Sequence, residues 1–119
     1  MTAPNIVGVA TITGKTAVAN AIGNSTAVEI LANGSSSDDV YKVNAILVSN
    51  VYGADTTVTV DFRRGGTDYS IVTTIDVPNK STLDVLNKPI YLEEGDSLRI
   101  LAGHASALDA VCSYEVITD

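Results

Sequence analysis

One histidine, one cysteine and two acidic clusters are the chemistry-bearing groups in this chain of 119 residues. A Ser-His-Asp relay would have to use His104, with Ser106 or Ser113 as nucleophile and Asp109 as orienter. No Gly-x-Ser-x-Gly elbow is present, and Gly103 and Ala105 mark His104 as a loop residue. The carboxylates fall at Asp38-Asp39 and at Glu93-Glu94 with Asp96. A glycosidase needs two acids across one cleft and aromatic platforms for the sugar. Trp is absent and Phe62 is the single Phe, so that platform is poorly supplied. Neither cluster follows the Asp-x-Asp-x-Asp-Gly calcium loop, and both read as solvated turns. The lone Cys112 excludes an intrachain disulfide and a thiolate metal cluster, and its apolar alternation marks it as a small buried hydrophobe. Gly8, Gly14 and Gly23 form no nucleotide fingerprint. The expectation is no enzyme, with no catalytic residue, cofactor or metal.

Charge narrows the partners. Fourteen acidic residues against seven basic ones leave a net charge of −7. Phosphate backbones are bound by Lys and Arg releasing counterions, so nucleic acid is excluded as a direct partner, and anionic membrane surfaces are disfavoured likewise. The one adjacent basic pair, Arg63-Arg64, belongs beside a turn. No run reaches the roughly 20 apolar residues that span a bilayer. Met1 to Ala10 has neither a basic start nor a long apolar stretch, so no secretory leader is expected and synthesis is placed in a cytoplasm.

The elements that must position these groups read as strands. Val, Ile and Thr abound, which suits pleated, half-buried backbone. Val58, Val60 and Phe62 alternate with Thr57, Thr59, Asp61 and Arg63, the period of a strand with one buried face. Gly65-Gly66 supplies the positive φ angles of a tight hairpin, and Tyr69, Ile71, Ile75 and Val77 continue the alternation on the return. Val40 to Val51 is a long apolar strand with Tyr41, Val43, Ala45 and Leu47 on one parity. Leu83 and Val85 open a short strand after a turn at Pro78 to Ser81. Pro89 should stand at a strand's start or a sheet edge. Leu92 and Leu98 flank a corner at Glu93 to Asp96, Ile100 and Ala102 follow, and Leu108, Ala110, Cys112, Tyr114 and Val116 form the last alternating face. Ile6 to Ile12 and Thr26 to Ala32 are strand-like. Lys15 to Ile22, rich in Ala, is compatible with a short helix. The sum is an all-β, two-sheet antiparallel sandwich of jelly-roll type with about eight strands, one domain over residues 1–119, with 1–12 as a possible N-terminal arm or added strand.

Work is then left to outer surfaces and chain ends. Tyr52 and Tyr91, beside turns, are the better interface candidates among five tyrosines. The arm, with Thr2, Pro4, Ile6 and Val7, is small and β-prone and suits strand addition to a neighbour's edge.

From Val40 onward the chain resembles small structural proteins of tailed phages, particularly marine cyanophages. The likeness lies in Val40-Tyr41-Lys42-Val43-Asn44, Thr57-Val58-Thr59-Val60, Arg64-Gly65-Gly66-Thr67, the run Lys88 to Leu98, and Val111-Cys112-Ser113-Tyr114-Glu115. It covers about two-thirds of the chain, and Pro89-Ile90-Tyr91-Leu92-Glu93-Glu94-Gly95-Asp96 is its most distinctive part. The resemblance implies a location in the virion, and carries over no catalytic residue. Together with size and fold it points to a capsid decoration protein that cements the head shell, associates with itself (a trimer suits local three-fold positions) and binds the major capsid protein or another virion protein. The alternatives are a tail, collar or fibre module, or a carbohydrate-binding jelly roll.

Overall fold

The structure is a computed structural model and describes residues 11–118. Nine strands follow one another: β1 (Thr11–Ile22), β2 (Val28–Ala32), β3 (Asp39–Asn50), β4 (Thr56–Arg64), β5 (Thr67–Val77), β6 (Thr82–Asp84), β7 (Ile90–Leu92), β8 (Ser97–Ala102) and β9 (Leu108–Thr118). Their antiparallel pairings are nested. β4 pairs with β5, β3 with β6 and β7, β2 with β8, and β1 with β9. The chain is thus one long hairpin, rolled so that β3 also meets β9 and β4 also meets β8. That winding is a jelly roll. One sheet runs β1-β9-β3-β6, with β7 also on β3, and the other runs β2-β8-β4-β5.

The tip of the hairpin sits where the sequence places it. Gly65 and Gly66 have φ of +59° and +81° between the paired Arg64 and Thr67, the conformation of a type I′ turn. Between the sheets lie Val43, Ile46, Val48, Val58, Val60, Leu92, Leu98, Ile100, Leu108 and Cys112, all fully buried. Each such aliphatic side chain contributes about 1.5–3 kcal/mol by leaving water. Pro89 immediately precedes β7, where its missing N–H costs no ladder bond.

Several expectations are corrected. Lys15 to Ile22 is no helix; it is the body of β1, paired residue by residue with β9 from Thr11 to Ala19. Alanine's helical preference amounts to tenths of a kcal/mol per residue, and nine consecutive rungs on β9 outweigh it. Thr11 and Ile12, assigned to the arm, belong to β1. The rest of the arm, with Thr2, Pro4, Ile6 and Val7, lies outside the described residues. In β3 the register slips by one at Asn44, so Ile46, Val48 and Asn50 turn inward while Leu47 is exposed. In β5 two slips bring Val72, rather than Ile71, opposite Val60. The described residues hold nine strands, in line with the expected count of about eight, as residues 85–89 divide the partner of β3 into β6 and β7.

Candidate assembly surface

Several of the groups with chemical potential are hydrogen-bonded within the fold. His104 shares its Nδ1 with the Thr56 hydroxyl at 2.9 Å and stacks on Tyr52, ring centroids 4.4 Å apart and 12° from parallel. Asp109 accepts the Ala21 N–H at 3.0 Å. The structure therefore does not assemble His104 and Asp109 into a relay. Tyr52 remains 43% exposed at this loop end. Tyr91, on β7 opposite Lys42, is 44% exposed. The two tyrosines named as interface candidates are thus open on the surface, on different parts of the molecule.

The acidic turn is a clamp. Asp96, its side chain only 2% exposed, takes two hydrogen bonds from Arg64, Nε at 2.8 Å and Nη2 at 2.6 Å. It also accepts the Glu93 N–H at 2.8 Å, and Glu93 itself meets Arg64 at 2.8 Å. The Asp96 hydrogen bonds hold the guanidinium charged, raising its pKa, and its Cζ lies over the Phe62 ring, 5.1 Å from the ring centre. This fastens the tip of the β4–β5 hairpin to the β7–β8 corner. At the other acidic pair, Asp39 accepts the Thr118 hydroxyl at 2.8 Å, and the Asp38 N–H points to Glu94 at 3.3 Å. Among the described residues no group of three His, Cys, Asp or Glu side chains is placed to hold a metal ion.

What the fold leaves open is edges. The second sheet ends on β5, whose line is broken twice. Thr73-Thr74 stand against Thr59 alone, Thr74 takes a φ of +49°, and its N–H bonds the Thr59 hydroxyl at 2.9 Å. A second extra residue follows near Ile71. Bulges of this kind twist an edge away from would-be partners. β2 is short and also slips, between Glu29 and Leu31, while β6 and β7 have three residues each. β1 differs. From Thr11 to Ala19 it holds nine unbroken rungs with β9, and its other side has no partner strand among the described residues. Its outward face carries Ile12, 54% exposed, and Val18, 72% exposed. A shallow depression lined by Val18, Ala19, Asn20, Asp109, Ala110 and Val111 adjoins it.

No family model matches the chain, and no curated protein matches it. A solved structure does. The chain is similar to a subunit of the Bacillus endospore appendages, which form a novel family of disulfide-linked pili, at 25% sequence identity and a TM-score of 0.54. The match covers 91% of this chain and 88% of that one, so the likeness extends over the whole sandwich. This match does not show the phage identity that the resemblance implied.

Cys112 points into the core and is fully buried. Burial pushes its thiol up to about 11, as low dielectric disfavours the thiolate. Two polar residues of structural weight were not singled out from sequence. Asn33 is buried and donates to the carbonyls of Asp39 and Leu92 at 2.9 and 3.0 Å. Asn50, also buried, donates to Ala54 and Val77 at 2.7 and 2.9 Å and accepts the Tyr52 N–H. Their place just after an apolar strand run is the signal in the sequence. The open edge of β1 was missed because its Ala-rich half was compatible with a helix.

Proposed function

We propose that this chain is a repeating structural subunit, not an enzyme, that joins copies of itself through sheet edges into an extracellular fibre-like assembly. The observation that carries this reading is the long, regular edge of β1, unpartnered among the described residues, on a fold similar to that of a pilus subunit. An edge with free N–H and C=O groups is a template for another strand, and a subunit that works alone is expected to blunt it. A strand of a second copy satisfies that edge by β-augmentation, while the arm, with Thr2, Pro4, Ile6 and Val7, and the exposed Tyr52 and Tyr91 are left for other joints.

The joints differ in one respect from those of the Bacillus pili, which are disulfide-linked. This chain has one cysteine, and it is buried, so its contacts are non-covalent. The test is electron microscopy and sedimentation of the purified full chain with and without reductant. Polymers that ignore the reductant are expected. A protein that stays monomeric at high concentration, or an assembly that reductant dissolves, would overturn the reading.

A second reading keeps the subunit and changes its place: decoration of a phage head as a trimer on the major capsid protein, or a tail, collar or fibre module. The run from Lys88 to Leu98 and its similarity to phage structural proteins favour it. Copy number separates the cases. Hundreds per particle mean a shell, a dozen or fewer a tail position, and filaments free of particles support the fibre.

A further inference from the structure

We infer that two copies of this chain pair edge to edge through β1, antiparallel, with Lys15 on the two-fold axis. The inference rests on the self-assembling reading above and names one of its joints. Three features of the described residues converge on this register.

The first is length. The unbroken part of β1 runs from Thr11 to Ala19 before the register with β9 slips, and its middle residue is Lys15. A two-fold there pairs all nine residues with their counterparts, Thr11 opposite Ala19 of the second copy and so on inward. The second is side-chain pairing. Residues directly opposite in an antiparallel ladder lie on the same face, and only this centre sets Ile12 against Val18 of the second copy. One step of two residues either way puts Val18 opposite Gly14, or Ile12 opposite Thr16. The two exposed large apolar residues of the strand thus cover each other twice.

The third is continuity. On the outer face of the sheet, Val18 stands in one row with Val111 and Leu47, and Ile12 in another with Ile117 and Val40. Pairing Ile12 with Val18 joins the row of one copy to the other row of its partner, so the exposed Ile12, Val18, Val111 and Leu47 run on from the buried Ile117 and Val40 across the joint, and the two-fold makes a second such row. A closed, self-complementary contact of this kind is what a two-fold interface requires. The remaining pairs, Thr11 with Ala19, Thr13 with Ala17 and Gly14 with Thr16, are small and leave the strands free to approach.

Lys15 itself is exposed and opposes its own copy. Edge lysines discourage pairing, and two like charges across a ladder repel. The joint is therefore adjustable: salt screens the repulsion, and association should tighten as ionic strength rises.

Cysteine cross-linking of the full chain under mild oxidation tests the register, with wild-type protein, whose Cys112 is buried, as control. Lys15→Cys should form a covalent dimer. The pair Ile12→Cys and Val18→Cys in one chain should do so as well. Ile12→Cys alone should not, because two copies of that position would be six residues, about 20 Å, apart along the ladder. Val18→Asp, checked for an unchanged unfolding curve, should weaken dimerisation about tenfold. If filaments or particles form but Lys15→Cys does not link, the β1 joint is wrong and the self-assembling reading survives. A chain that is monomeric under every condition overturns both.

Discussion

The edges of the two sheets are built on opposite rules. β5 carries two extra residues against β4, a left-handed threonine and a hydroxyl that captures its N–H. Polar Asp68, Ser70, Thr73 and Thr74 are exposed along it. β1, twelve residues long, keeps nine unbroken rungs from Thr11 to Ala19, slips only at its end, where Ala21 takes a φ of +52° and gives its N–H to Asp109, and offers Ile12 and Val18 to solvent. Both strands face the same hazard, since an open edge recruits any strand of matching register. On the self-assembling reading proposed above, a chain that bends one edge away and leaves the other unbroken separates where it stays single from where it joins.

The largest effect is expected where the guarded edge is fastened. Arg64→Ala leaves the Asp96 carboxylate buried without its cation. Breaking a buried pair costs about 3–5 kcal/mol. Half of the Arg64 side chain is exposed, so water replaces part of the loss and about 2–3 kcal/mol remains. Urea unfolding measures it, and hydrogen exchange should locate it, with amides of the β4–β5 hairpin opening faster while those of β1 and β9 keep their protection. Equal acceleration on both sheets would mean that Arg64 does not act on the hairpin tip.

Deleting Thr74 should erase part of the contrast itself. Without that residue β5 runs straight past Thr59, losing the hydrogen bond between them, a stability cost of about 1 kcal/mol. The straightened edge becomes a template, so light scattering should rise with concentration through a surface that wild-type protein does not use. A variant that stays as dispersed as wild type in a β1-blocked background (Val18→Asp) would show that the bulge guards nothing.

How much of this was legible depends on what each strand's neighbours contribute. β4, β8 and β9 were readable because their apolar alternation is set by a single buried face: Val58 and Val60, Leu98 and Ile100, and Ala110 and Cys112 are all inward. The turn at Gly65-Gly66 was readable because the backbone there demands φ > 0. The slips in β3 and β5 were not, since an extra residue is defined only against the partner strand. One such slip is enough to send Leu47 outward and Ile46 inward. β1 was misread in its Ala-rich half because local propensity is weak beside a sheet ladder. Edges are still further from the residue string. Whether a strand has one neighbour or two follows from the order of the whole sheet, and nothing in Thr11 to Ile22 states that β1 ends it.

Cys112 tests whether the joints are free of covalent links. With its thiol pushed up to about 11, the folded protein holds roughly a hundredfold less thiolate at neutral pH than an ordinary cysteine. Reaction with a thiol reagent should be correspondingly slow, and should become fast in urea. Prompt labelling of the assembled protein at pH 7 would place the thiol at a surface and reopen a disulfide role at the joint.

The smallest effect belongs to Asp61, which faces Ser70 at the second bulge of β5. Burial, and then the charge of Asp68, raise its pKa. The folded state therefore holds a proton through a window, above the ordinary carboxylate value of 3.8, in which the unfolded chain has released it. Stability falls as pH rises through that window and is level on either side of it. Asp61→Asn removes the penalty, so the variant should be slightly more stable at pH 7, within the roughly 0.5 kcal/mol of surface substitutions. The advantage should vanish as the pH drops to the ordinary value. The same change removes a charge beside the guarded edge, so association through β5 should increase a little even as the monomer gains stability. Urea midpoints at the two ends of the window, with scattering on the same samples, follow both effects. A midpoint difference that ignores pH would mean that the Asp61 carboxylate is as free in the folded chain as in the unfolded one.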